Sequence, residues 1–199
     1  MDAKAWDERY TGTELVWSAE PNRFVEAETG DLPAGRALDL AAGEGRNAIW
    51  LAKNGWQVTA VDFSAAALAK GKLLADAQGA AVDWVTADLL TWQPESAAYD
   101  LVLIAYLHLP EDEMTAVLAK AAAVLAPGGT FLLVGHDLQN LTDGVGGPQD
   151  AAILHTPEKV AERLTGLRVD RAERVTRPVT VEGEPREAID TLVRAVREE

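Results

Sequence analysis

The chain has 199 residues, 48% of them hydrophobic, which is enough for one domain with a core able to fold alone. Its 32 acidic and 18 basic residues leave a formal charge of −14 and no long basic run, so nucleic-acid phosphates and anionic membranes would repel it. With no cysteine, disulfides, thiolate metal sites and cysteine nucleophiles are excluded together.

The start, MDAKAWDERY, is polar and charged and does not read as a signal peptide. The first short apolar run is RALDL (36–40), followed by a glycine turn and a helical pattern from about Gly45 to Asn54, with Gly55 at C′. QVTAVD (57–62) predicts a second strand, and Ser64 caps a helix running to about Ala77. AVDWVTAD (81–88) and YDLVLIAY (99–106) predict a third and a fourth strand. Residues 101–107 are the longest strongly apolar run, far short of a membrane span, so a cytoplasmic protein is expected. Pro110, with Glu111, Asp112 and Glu113, suits the positive end of a helix dipole. Met114, Val117, Leu118, Ala121 and Leu125 then share one face, and Gly128 and Gly129 end the helix. GTFLLVG (129–135) is a fifth strand, and 137–150 reads as a long loop of the kind that often carries function. Thr156-Pro157-Glu158 opens a helix ending near Gly166, and 167–177 with 187–196 form an antiparallel hairpin around EGEP (182–185). Short apolar strands alternating with helices predict an α/β fold: a doubly wound, mostly parallel sheet with helices on both faces, finished by a C-terminal antiparallel hairpin.

Gly43, Gly45 and Ala48 fit G-x-G-x-x-G/A between a strand and a helix, a pattern shared by plain tight turns and dinucleotide sites. Asp62, at the end of the second strand, suits a ribose in either a dinucleotide or another nucleoside cofactor. Two other acids separate these. Asp39, four residues before Gly43, is misplaced for an anionic pyrophosphate and suits a cationic group. Asp88, closing the third predicted strand, can accept a hydrogen bond from an adenine amino group. Acids at three neighbouring strand ends line one crevice, and S-adenosylmethionine, with its ammonium, sulfonium, ribose and adenine, matches it.

The runs ALDLAAGEGRNAIWLA, VTAVDFS, VTADLL, YDLVLIAY and LAPGGTFLLVG resemble the motif series of class I S-adenosylmethionine-dependent methyltransferases over roughly residues 36–135. The resemblance implies a Rossmann-like sheet of about seven strands, the last antiparallel, which agrees with the terminal hairpin. It implies that Asp39, Gly43 and Gly45 hold the methionine part of the cofactor, Asp62 the ribose and Asp88 the adenine. Ala41, Arg46, Phe63, Ala87, Leu89 and Ala105 complete the implied cofactor-binding set, with S-adenosylhomocysteine as product. The third small residue is Ala48, harmless where no phosphate has to fit. WDERY (6–10), VWSAEPN (16–22) and GRN (45–47) are similar to the tellurite-resistance and thiopurine-methyltransferase-like branch. That similarity implies a single domain over 1–199, with a helical cap (1–30) closing over the cofactor, a cofactor-binding core (36–135) and a closing loop, helix and hairpin (136–199). By sequence alone Trp6, Tyr10 and Trp17 equally suit buried anchors for an added helix.

Methyl transfer is an in-line displacement at a carbon already activated by the sulfonium, so the protein has mainly to align the acceptor and exclude water. Thiolates and chalcogen anions attack without a base, whereas hydroxyl and many amine acceptors need one. Tyr106, His108, His136 and Asp137, just after the fourth and fifth strands, would border the methyl group. Tyr106, His108 and His136 are the catalytic candidates, although His108 also suits a backbone-bonded helix entry and His136 an orienting role. Arg46 suits an anionic acceptor, the cofactor carboxylate or plain solvation. The expected function is methylation of a small soluble acceptor, with the chalcogen or thiol class implied by the resemblance alone. The alternatives are an NAD(P)-dependent oxidoreductase, disfavoured by Asp39 and Asp88, and a non-catalytic S-adenosylmethionine-binding protein. No metal, nucleic acid or membrane partner is expected, in a monomer or homodimer. Asp62 is expected to serve the cofactor with little part in folding.

Overall fold

The computed structural model describes residues 3–12, 15–16, 18–94 and 98–198. Seven strands form one sheet: β1 (Arg36–Leu40), β2 (Gln57–Asp62), β3 (Val82–Thr86), β4 (Tyr99–Ala105), β5 (Leu125–His136), β6 (Leu167–Val181) and β7 (Glu184–Arg197). Their order is β3-β2-β1-β4-β5-β7-β6, parallel throughout except that β7 runs antiparallel to both β5 and β6. The helices are α1 (Ala3–Tyr10), α2 (Arg23–Thr29), α3 (Arg46–Lys53), α4 (Ala65–Gln78), α5 (Glu111–Val124), the single turn α6 (Asn140–Asp143) and α7 (Pro157–Arg163). Strand order reverses between β1 and β4, and the crevice outside their C-terminal ends is where such sheets take ligands. Among the described residues no helix is long and apolar enough to cross a membrane.

The central strands read as continuous apolar runs because both faces are covered. Leu101 and Leu103 pack with Val25 of α2 and Leu51 of α3, while Val102 and Ile104 pack with Met114, Val117 and Leu118 of α5. Leu132 and Leu133 divide in the same way, as the two-residue period of a strand requires. Local signals also hold: Ser64 Oγ accepts from the Ala67 amide, Thr156 Oγ1 from Lys159, and Gly55 takes a φ of 91° beyond α3.

Four predicted boundaries move. Helix α5 stops at Val124, and Leu125 already pairs with Tyr99 as the first residue of β5. Pro127 disfavours helical backbone before it, and a bulge in β5, where residues 126–129 stand against Asp100 alone, absorbs the Gly128-Gly129 kink. Strand β3 ends at Thr86, which leaves Asp88 in the following turn. The 137–150 loop contains α6, and the side chain of Asn140 ties it down by accepting from the Ile189 amide (2.7 Å) and donating to the Gly146 carbonyl (2.8 Å). The hairpin turn is Glu182-Gly183 alone, with φ of 53° and 84°, the two positive angles that a tight hairpin with right-handed strand twist demands. Pro185 therefore lies in β7, in a stretch that among the described residues is strand-paired with β6 and not with β5.

Ala41, just past β1, has a φ of 60°, a conformation that costs a residue with a β-carbon about 1–2 kcal/mol. Glycine relieves that strain but adds about 0.4–1 kcal/mol of unfolded-state freedom. Ala41→Gly should therefore leave the protein slightly more stable, with a melting temperature about 1–4 °C higher for a chain of this size. A lower melting temperature would mean that the turn accommodates alanine without strain.

Candidate active site

The crevice begins with Asp39 near the end of β1. Its carboxylate is 1% exposed, and neither oxygen has a hydrogen-bond partner. Burial, and secondarily the nearby charge of Asp62, push its pKa up to about 7, with Arg46 and the Ala48 amide only partly offsetting them. A buried carboxylate without a donor is costly unless a cation completes it, so this orphaned pair of oxygens fits an ammonium-bearing ligand.

Asp62, at the end of β2, is already committed. Oδ2 accepts from the Gly43 amide and Oδ1 from the Ser64 amide, both at 2.8 Å. Burial raises its pKa, and these amides work in the opposite direction. The carboxylate thus clamps the glycine turn onto the second strand, and Ala87 donates its amide to the Asp62 carbonyl at 3.0 Å. Asp88 is exposed, with Oδ1 accepting from the Leu90 amide, while Leu89 turns inward to the core. Phe63 and Ala105 are half-buried at the ends of β2 and β4.

Both glycines of the turn have positive φ, and protein groups take the space that a side chain would need. A β-carbon on Gly43 (φ 56°) would lie 3.1 Å from the Tyr10 hydroxyl. On Gly45 (φ 73°) it would lie 2.3 Å from the Trp84 ring, against which Gly71 also packs. Gly45 is thus required by the β3 tryptophan. Between the glycines, buried Glu44 accepts the Val16 amide on both oxygens (3.0 Å) and faces Lys70 at 3.4 Å.

The N-terminal segment rests on this turn. In α1, Trp6 stacks on Tyr10, and Asp7 accepts from the Ser64 hydroxyl (2.5 Å) at the start of α4. Tyr10 is buried and Trp6 half-buried, while Trp17 lies outside the described residues. Asn22 caps α2, donates its backbone amide to Asn47 Oδ1 at 2.9 Å, and donates from Nδ2 to the Tyr106 hydroxyl at 3.2 Å.

At the far end, Tyr106 follows β4 with a φ of 61°, rare for a bulky residue. Its hydroxyl donates to Asp190 Oδ2 (2.7 Å), the oxygen that also receives Arg177 Nε at 2.7 Å. The Arg177 guanidinium lies 5.5 Å over the Tyr106 ring, and His136 Nδ1 stands 3.4 Å from Asp190 Oδ1. Burial first, then the Asp190 charge and its hydrogen bond, hold the Tyr106 phenol well above its ordinary pKa. Arg46 opens α3 close enough to sense Tyr106, Arg177, Asp39 and Tyr10; burial and then Arg177 lower its pKa, against the pull of the others.

The three histidines, far apart in sequence, stack in space: His155 on His108 at 5.0 Å and His108 on His136 at 5.2 Å. His108 Nε2 accepts the His136 amide at 3.0 Å, and burial, then His155 and His136, push its pKa down to about 2. It is a neutral, backbone-bonded support. His155 Nε2 meets the Leu107 carbonyl at 2.8 Å, and Asp137 is fully buried, accepting from Gln139, Arg174 and Thr191. Among the described residues no cluster of three or more His, Asp or Glu side chains has the arrangement of a metal site. The structure thus brings Tyr106, His136 and Arg46 together and sets His108 and Asp137 behind them. Arg177, Asp190, Asn22 and Glu44 are additions that the sequence did not single out. The Glu-Gly pair at 182–183 was the available signal for two of them, because that turn fixes the register bringing Val175 opposite Asp190 and Arg177 opposite Ala188.

Residues 37–129 match a family described as "Methyltransferase domain". Thiocyanate methyltransferase 1 of Arabidopsis thaliana is 30% identical over 164 residues, covering 79% of this chain and 69% of that protein. The ubiquinone/menaquinone biosynthesis C-methyltransferase UbiE of Desulfotalea psychrophila is 37% identical over 109 residues, 54% of this chain, and the chain spans only 44% of its length. In fold, the structure described under "Conversion of a Disulfide Bond into a Thioacetal Group during Echinomycin Biosynthesis" superposes with a TM-score of 0.78 at 20% identity, over 98% of this chain and 92% of that one. With a seven-stranded sheet ending in an antiparallel hairpin, an orphaned acid beside a glycine turn, and these relatives, the chain belongs to the class I S-adenosylmethionine-dependent methyltransferase family.

Proposed function

We propose that this protein transfers the methyl group of S-adenosylmethionine to a small, soft nucleophile that arrives as an anion, a thiolate or a chalcogen anion. One observation carries the choice of acceptor. Arg46 and Arg177 approach each other closely enough for Arg177 to depress the Arg46 pKa, yet among the described residues Arg46 forms no ion pair. Two guanidinium groups near enough to repel one another in a chain of charge −14 favour an anion beside them. The relative named as a thiocyanate methyltransferase supports the same class, as does the likeness of WDERY and GRN to the tellurite-resistance and thiopurine branch.

The cofactor supplies a methyl group activated by a positive sulfur. Asp39 holds its ammonium, Asp62 its ribose and Asp88 its adenine, with Ala41, Gly43, Gly45, Phe63, Ala87, Leu89 and Ala105 lining the crevice. Residues 1–30 act as the cap, anchored by the Asp7–Ser64, Val16–Glu44 and Asn22–Asn47 contacts. An acceptor already ionised needs no base, which agrees with His108 being neutral and committed to backbone.

The test is turnover with labelled cofactor of thiols, hydrosulfide, thiocyanate, selenite and tellurite against catechols and amines. Turnover of the anionic soft nucleophiles is expected, with a pH profile that follows acceptor ionisation. His136→Ala should then lose less than about tenfold, because general-base catalysis contributes about 10²–10⁴-fold where it operates. Turnover confined to catechols or amines, or a thousandfold loss in His136→Ala, would overturn the assignment.

A further inference from the structure

We infer that Asp190 is the positioning residue of the acceptor end, aiming Arg177 into the crevice and locking Tyr106 beside it. The inference rests on the anionic acceptor proposed above. Asp190 is completely buried on β7, and Oδ2 receives two donors at 2.7 Å: the Tyr106 hydroxyl from the end of β4 and Arg177 Nε from β6. The contact with Arg177 is single-pronged, because Oδ1 has no hydrogen-bond partner. A guanidinium held only through Nε keeps its two terminal amino groups for another acceptor, and that fork matches an oxyanion or a thiolate. The guanidinium carbon also lies 5.5 Å over the Tyr106 ring, a second contact that holds the group at this end of the site.

The backbone gives a second reason. Tyr106 holds a φ of 61°, a strained angle that persists only where surrounding contacts over-determine it. The Tyr106 hydroxyl bonds to Asp190 and Asn22, and the Tyr106 amide bonds to Val134, so hairpin, N-terminal segment and central sheet all converge on this residue. Oδ1 of Asp190 and Nδ1 of His136 are both buried without a hydrogen-bond partner, 3.4 Å apart. A small ring rotation would join them, so Asp190 also offers His136 an acceptor. A carboxylate that only stabilised the fold would have no reason to leave one oxygen open toward a site residue.

The experiment compares wild type with Asp190→Asn, Arg177→Lys and Tyr106→Phe. S-adenosylhomocysteine affinity, measured by calorimetry, should stay within about twofold, because none of these residues meets the cofactor acids. The acceptor KM of Asp190→Asn and Arg177→Lys should rise at least about tenfold, with kcat falling less, as expected when ground-state binding of the acceptor is lost. Ultraviolet titration of the tyrosines gives a readout that needs no acceptor. The step removed by Tyr106→Phe should lie above the ordinary tyrosine range in wild type and move down in Asp190→Asn. If Asp190→Asn fails to fold, the KM of Arg177→Lys decides. An unchanged KM in the folded variants, or a Tyr106 step that stays in place without the carboxylate, would overturn the role of Asp190. A wild-type protein inert toward every anion tested would instead overturn the proposed function, while the tyrosine titration would still report the hold of Asp190 on Tyr106.

Discussion

Binding of S-adenosylhomocysteine below pH 7 is expected to release a proton, and Asp39→Asn is expected to abolish that release. Asp39 is buried without a donor, and its pKa lies near 7. A ligand ammonium beside it favours the ionised form, so below pH 7 the carboxyl must lose its proton for the ligand to seat. Affinity should fall by about tenfold for each pH unit below 7 and level off above it. Calorimetry in buffers of different ionisation heat would show the released proton directly. The same acid acts on folding with a fixed sign. Its folded pKa lies above the value of about 3.9 expected when unfolded, so its contribution to stability is complete below that value and is lost as pH rises through 7. The ligand-free Asp39→Asn protein should therefore outlast wild type in a thermal melt at pH 8, with the difference closing toward pH 4. At pH 8 it should bind S-adenosylhomocysteine more weakly by about 1.5–3 kcal/mol, the range for a lost charge-assisted hydrogen bond. Binding that is independent of pH in wild type would remove Asp39 from the cofactor site.

Asp62→Ala is expected to damage binding and folding together. On the proposed ribose role, loss of the charge-assisted bond should weaken cofactor binding by about 1.5–3 kcal/mol, or about 10- to 150-fold. The sequence suggested a role separable from folding, but the carboxylate is the acceptor for the buried amides of Gly43 and Ser64. Leaving buried donors unpaired costs about 1–3 kcal/mol each, and each kilocalorie lowers the melting temperature by about 2–4 °C at this chain length. Asp62→Asn retains an acceptor for one amide and should fall between the two. Affinity equal to wild type would remove the ribose role; an unchanged melting temperature would remove the clamp on the turn.

These two acids lie at one end of a crevice whose other end is built from distant parts of the chain. Asn22 comes from the N-terminal segment, Arg46 from the start of α3, Tyr106 from the end of β4, and Arg177 and Asp190 from the C-terminal hairpin. A hairpin that extends past the end of β5 is what carries the last two over the site, because β7 pairs with β5 only from Asp190 onward. Sheet topology therefore matters to chemistry here: the antiparallel strand delivers side chains that no parallel β-α unit would bring to this end.

The sequence by itself determined what depends on short-range chemistry. Continuous apolar runs of strand length, Ser64 and Thr156 at helix starts, and glycines at left-handed positions follow from backbone sterics and local hydrogen bonds. Those signals lie within a few residues of each other, and they were enough to place Asp39 and Asp62 at neighbouring strand ends beside a glycine turn. Tertiary structure alone decided which groups meet across the chain. It placed the Trp84 ring against Gly45, stacked three histidines separated by 19 to 47 residues, and left Asp39 rather than Asp62 as the unpartnered acid. It also paired Asp190 with Tyr106 across 84 positions. The physical reason is register: a strand pattern says that alternate residues share a face, but only the turn at Glu182-Gly183 and the pairing of β7 with β5 decide which of them arrives at the crevice.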